Sequence, residues 1–218
     1  MNYFKLIAFL LFINIPSVYA QKAKDTYVLV TTSNPNAAIT VNGKPAGNGS
    51  AKVKVLGNSC VKISADIEGF YAKYVEFCNN GMIKLPKAHF IELEKDQAYE
   101  SSEATDFANV DINIRPKKAL NETWKPINSL VLQYIDAIEI SDKENMYLRT
   151  AWVSQNFNSG IVRTRIIIKT AGAEQFSVKL ISEKAPPGSS VKDDEKFVPY
   201  DRVLRKYTKI IEEIQNRI

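Results

Sequence analysis

An α+β chain is expected: a small all-β sandwich followed by an antiparallel sheet packed on a long C-terminal helix. Three features of the 218 residues carry that expectation. Residues 26–94 hold only short runs of strand length, punctuated by Gly, Asn and Pro, and none has helical period. Residues 106–218 mix strand-like segments with two stretches that keep one apolar face at helical spacing. Between them 95–105 is polar and acidic, with Gln97, Glu100, Ser101, Ser102 and Glu103, and reads as a linker.

The chain opens with Lys5, an apolar run from Leu6 to Ile15, then Pro16 and a Ser17-Val18-Tyr19-Ala20 ending. That is the layout of a secretory signal peptide over 1–20, and it predicts an exported protein, periplasmic or secreted, beginning near Gln21. The run is short of the roughly 20 apolar residues that a membrane-spanning helix needs. No cysteine stands at the cleavage site, so a lipid anchor there is not expected.

Strand candidates follow at Tyr27–Thr32, Ala38–Val41, Lys52–Leu56 and His89–Glu94, with turn signals at Asn42-Gly43 and Asn80-Gly81. From Cys60 to Ile67 the sequence alternates, with Val61, Ile63, Ala65 and Ile67 on one face and Cys60, Lys62, Ser64 and Asp66 on the other. A hairpin centred on Gly69 sets Val61 against Phe77, Ile63 against Val75, Lys62 against Glu76 and Cys60 against Cys78. Directly opposed residues lie within disulfide range, so the two cysteines, Cys60 and Cys78, are expected to be bonded in an oxidising compartment. The alternative is a pair of reduced, packed thiols.

The run Ser33-Asn34-Pro35-Asn36-Ala37-Ala38-Ile39-Thr40-Val41-Asn42-Gly43-Lys44, with Gly47, the Lys52–Leu56 strand and the Glu68-Gly69-Phe70 turn, resembles the PEGA family. The resemblance covers about a third of the chain, and the signature tetrapeptide reads Pro35-Asn36-Ala37-Ala38. It implies an extracytoplasmic β-sandwich used as an accessory or surface-interaction module, with no catalytic residues to carry over.

In the second half, a strand over Phe107–Arg115 precedes a helix through Trp124, Ile127, Val131, Tyr134 and Ile135, capped by Thr123, with Pro126 in its first turn. Strand-like segments follow at 137–141, 146–154, 161–169 and 175–182. A Pro186-Pro187-Gly188 loop then leads to a terminal helix with Val203, Leu204, Tyr207, Ile210, Ile211, Ile214 and Ile218 on one stripe. Trp124, Asp142, Trp152, the Arg163-Thr164-Arg165 strand and that helix resemble the helix-grip domains of the C-subunit lipoprotein of the β-barrel assembly machinery.

Charge narrows the function. Lys and Arg are scattered among nearly as many Asp and Glu, with a net +5, so a nucleic-acid partner is not expected. His89 is the only histidine and no Gly-x-Ser-x-Gly elbow exists, so neither a zinc site nor a hydrolase triad is expected, and no cofactor is implied. Asp193, Asp194 and Glu195 read as a solvated loop.

The strand pattern does point to one surface. Pairing 146–154 with 161–169 around residue 157 sets Arg149 opposite Arg165, and pairing the latter strand with 175–182 around Gly172 sets Arg165 opposite Lys179. A turn near Glu144 adds Glu139, giving the row Glu139, Arg149, Arg165, Lys179, with Arg163 on the same face and Tyr147 and Ile167 beside it. Like charges placed opposite one another are unfavourable, so the row is either a solvated outer face or a dock for acidic protein loops or lipid phosphates. The expected function is therefore that of a non-catalytic envelope interaction or scaffolding protein, with an envelope protein complex or an anionic membrane surface as partner. The alternative is a carrier of a lipid or other hydrophobic small molecule between helix and sheet, unless Trp124, Trp152, Phe176 and Tyr207 fill that space. Nothing in the sequence sets the oligomeric state.

Overall fold

The computed structural model describes residues 23–218, and the expected signal peptide lies outside them. The protein is mixed and mostly strand, with several sheets. It divides into two compact units: residues up to Ser64 with Tyr74–Ile91, and Ala65–Lys73 with Glu92–Ile218.

The first unit holds β1 (Thr26–Thr32), β2 (Ala38–Val41), β3 (Lys44–Asn48), β4 (Ser50–Val55), β5 (Ser59–Asp66), β6 (Lys73–Asn79) and β7 (Ala88–Ile91), the β5–β6 tip counting with the second unit. One sheet is ordered β4-β1-β7 and the other β3-β2-β5-β6. The two-residue period decides what is buried: Val28 and Val30 of β1 and Ala51, Val53 and Val55 of β4 are inside, while Tyr27, Leu29, Lys52 and Lys54 point outward. Every residue of β3 is exposed, which is why hydrophobic patterning passes over it. Its cause is the turn before it, where Asn42 and Gly43 both take positive φ, 50° and 77°, as a type I′ hairpin requires. The Cys60–Cys78 disulfide joins neighbouring β5 and β6 with Cα atoms 4.0 Å apart. His89 sits in β7 with its ring edge-on to Phe77, centroids 5.3 Å apart.

In the second unit, α1 (Gln97–Glu100), β8 (Ser102–Ala104), β9 (Asp111–Ile114) and α2 (Leu120–Tyr134) come first. A meander follows: β10 (Ile138–Asp142), β11 (Tyr147–Thr150), β12 (Val153–Phe157), β13 (Gly160–Thr170) and β14 (Phe176–Ala185). The chain ends with β15 (Val198–Pro199), β16 (Arg202–Leu204) and α3 (Ile210–Arg217). The main sheet runs β10-β11-β13-β14-β15, with β12 also on β13 and β9 also on β14. Its inner face, including Leu148, Val162, Ile166, Ile168, Val178 and Leu180, packs in one core with Trp124, Ile127 and Val131 of α2 and Ile210 and Ile214 of α3. Trp124 stacks on Phe176 with centroids 6.2 Å apart, and Tyr207 is buried in the same core.

Several expectations are corrected here. The long C-terminal helix is not present: over its expected span the chain forms β16, paired with β8, then a 3-10 turn over Arg205–Tyr207, and only then the eight-residue α3. The apolar stripe is nonetheless buried throughout, because Val203 and Leu204 reach the core from a strand as readily as from a helix. The 95–105 linker is also ordered. Ala98 and Ser102 are fully buried, Asp96 caps α1 by accepting the Ala98 N–H, and the Arg202 guanidinium reaches the Tyr99 and Ser102 carbonyls. Helix α2 begins three residues before Thr123, with Leu120 packed against the core, so Pro126 falls inside it, and the Thr123 hydroxyl donates back to the Ala119 carbonyl instead of capping.

Candidate functional site

The outer face of the main sheet is set by the alternation that buries Leu148, Thr150, Thr164, Ile166 and Ile168, which leaves Tyr147, Arg149, Arg163, Arg165 and Ile167 on the other side. The register differs from expectation by two residues on each side of β13. Arg149 pairs with Ile167, Arg165 with Ile181, and Ile167 with Lys179. The β13–β14 loop spans five residues, the Ala171 N–H donating to the Gln175 carbonyl, which moves the centre of the hairpin off Gly172. Because the error is even, the side chains of β13 and β14 keep their predicted faces.

Three of the five expected binding residues are paired with carboxylates within the protein. Arg149 forms a two-point fork on Glu139, Nε to Oε2 at 3.1 Å and Nη2 to Oε1 at 2.9 Å. Lys179 lies 2.7 Å from Asp111, whose carboxyl is held below its ordinary range by hydrogen bonds from Lys179 and then Ser177. Arg163 is 5% exposed; its Nε and Nη2 reach Glu183 at 2.8 and 2.7 Å and its Nη1 donates to Asp194. Its guanidinium also lies against the Trp152 and Phe197 rings, 4.1 and 3.8 Å from their centroids. Asp194 thus ties down the acidic loop that reads in the sequence as solvated. Tyr147 is half-buried at the start of β11.

Arg165 differs from the other cations. Its guanidinium stacks 4.1 Å from the Trp152 centroid, no carboxylate among the described residues pairs with it, and its Nε is buried without a hydrogen-bond partner. Burial, and next the Arg149 charge, push it below the usual arginine range. Arg165 is half-buried, as are Trp152, Ile167 and Ile181 beside it.

Trp152, one of the four large residues that the sequence offers to fill the space between helix and sheet, lies instead against Arg163 and Arg165 on the outer face. A one-residue irregularity puts it there: β11 pairs with β13 as Leu148 to Ile168, whereas β12 pairs as Val153 to Thr164, so the inward side changes at Ala151-Trp152. A bulge of this kind has no sequence signature here, since neither residue is Gly or Pro.

Among the described residues, Cys60, Glu76 and Cys78 are close enough to hold a metal, but the disulfide occupies both sulfurs. What the outer face offers is a planar guanidinium with no ion-pair partner among the described residues, reached only at longer range by the Glu183 and Glu139 charges and flanked by Trp152, Ile167 and Ile181, which is a chemistry suited to a carboxylate or phosphate. Fold and site together define a β-rich protein of two compact units carrying a cationic, aromatic sheet face. No protein-family model matches the chain, and no curated protein matches it.

Proposed function

We propose that this is an exported, non-catalytic envelope protein that presents the outer face around Arg165 to an acidic segment of a partner protein. The observation that carries the reading is the contrast on one sheet: Arg149, Arg163 and Lys179 each have a carboxylate of their own, and Arg165 has none among the described residues. A half-buried charge with no ion-pair partner costs stability, and such residues concentrate where a partner supplies the missing group. The disulfide is compatible with export. The type I′ turn at Asn42-Gly43 and the paired small sheets support a PEGA-like module in the first unit. The eight-residue α3 leaves the helix-grip likeness without its defining element. Trp124, Phe176 and Tyr207 in the core weigh against a hydrophobic carrier.

Affinity capture from solubilised cell envelope tests this reading. Arg165→Glu is expected to lose a discrete captured protein by more than tenfold, while Arg149→Ala and Lys179→Ala retain it within a few-fold, their charges being already neutralised. Equal capture by Arg165→Glu and the unaltered protein would overturn it.

A further inference from the structure

A second surface, on the first unit, is independent of Arg165. The loop from Asn80 to Lys87 projects Met82 and Ile83 at 89% and 71% exposure, the former among the most exposed large apolar side chains described. Two adjacent apolar residues at a loop tip cannot be spare core. Both also line a cleft of about 870 Å³, together with Tyr27, Leu85, Lys24, Lys84 and Lys87 among others. No acidic residue lines it, and none of those three lysines is ion-paired among the described residues.

The base of the loop is fixed. Asn79 is 6% exposed, its side-chain amide donates to the Lys24 carbonyl at 2.8 Å and the Val55 carbonyl at 3.3 Å, and its own carbonyl accepts the Asn58 N–H. At the tip, the Asn80 side chain accepts the Met82 N–H at 3.0 Å. The apolar pair is therefore presented on a loop with a braced base, with cations lining the same cleft.

We propose that this loop is a membrane-contact site for an anionic bilayer surface. Met82 and Ile83 enter the boundary between headgroups and acyl chains, and Lys24, Lys84 and Lys87 meet lipid phosphates. A bilayer fits the arrangement better than a protein groove does. An exposed apolar pair beside an acid-free lysine rim offers a leaflet both of the contacts it can make, apolar to the acyl chains and cationic to its negative surface. Ala23 also lies against this loop, its Cβ 3.5 Å from where a Cβ on Gly81 would stand.

The test is co-sedimentation of protein purified after export with phosphatidylcholine vesicles, with and without one quarter phosphatidylglycerol. Binding is expected on the anionic vesicles, falling with salt. Met82→Asp/Ile83→Asp should reduce it at least tenfold. Lys84→Glu/Lys87→Glu should do so by a similar factor, since each lysine near such a surface is worth about fivefold. Arg165→Glu should bind vesicles like the unaltered protein, which separates this site from the sheet face. Failure of the unaltered protein to bind anionic vesicles, or full binding by both loop variants with an unchanged melting temperature, would overturn the proposal.

Discussion

Arg163 and Arg165 stand two residues apart on one strand and are opposites in energetic terms. Arg163 is buried with Glu183 and Asp194 and packed between two rings, so Arg163→Ala strands a carboxylate and should cost about 3 kcal/mol in urea unfolding. Arg149→Ala breaks a pair whose side chains keep 29% and 46% of their exposure, and should cost less than about 1 kcal/mol. Arg165→Met should be neutral or stabilising by up to about 1 kcal/mol, because it removes a buried unpartnered Nε and keeps the contact with Trp152. A measured loss of more than about 1 kcal/mol for Arg165→Met would mean that the residue serves the fold. The sequence shows that these arginines share a face, since alternation alone decides that. It does not show which is neutralised, because Asp194 arrives from a distant loop and Asp111 from β9, and neither has a local signal.

At the scale of elements, the disulfide between β5 and β6 closes a loop of 18 residues, and Cys60→Ser/Cys78→Ser should destabilise the first unit by about 3 kcal/mol. A reductant should reproduce that loss in the unaltered protein and leave the double variant unchanged. The pairing was legible because one hairpin register satisfies Cys60–Cys78 together with its apolar neighbours. Helix α3 was less legible: the buried stripe from Val203 to Ile218 is real, but only its last part is helical. Spacing reports which residues are buried and does not separate a strand and turn from a first helical turn. What ties α3 to α2 is specific, the Tyr134 hydroxyl donating to Glu213 at 2.7 Å. Burial, and then that hydrogen bond, push Tyr134 up to about 12. An unfolded tyrosine ionises near pH 10, so this contribution is complete below about pH 10 and is lost as pH rises through 12. Stability measured across that window should fall, and the fall should be shallower in Tyr134→Phe.

At the scale of the whole molecule, each unit carries its own surface: the loop at Met82 and Ile83 on the first, and the Arg165 face on the second. The segment 95–105 reads as a linker because its composition is polar, yet Ala98 and Ser102 are fully buried and Arg202 hydrogen-bonds the Tyr99 and Ser102 carbonyls. Composition averages over such anchors. The proposed export and the proposed partner both rest on one claim, that the Arg165 face is occupied in the envelope. The most direct measurement is photo-crosslinking in intact cells from a probe at Ile181, which pairs with Arg165 across β13 and β14, with a control probe at exposed Glu212 on α3. A discrete protein adduct from Ile181, absent from Glu212 and lost in Arg165→Glu, is the predicted result. No protein adduct from Ile181, or the same adduct from both positions, would contradict the account.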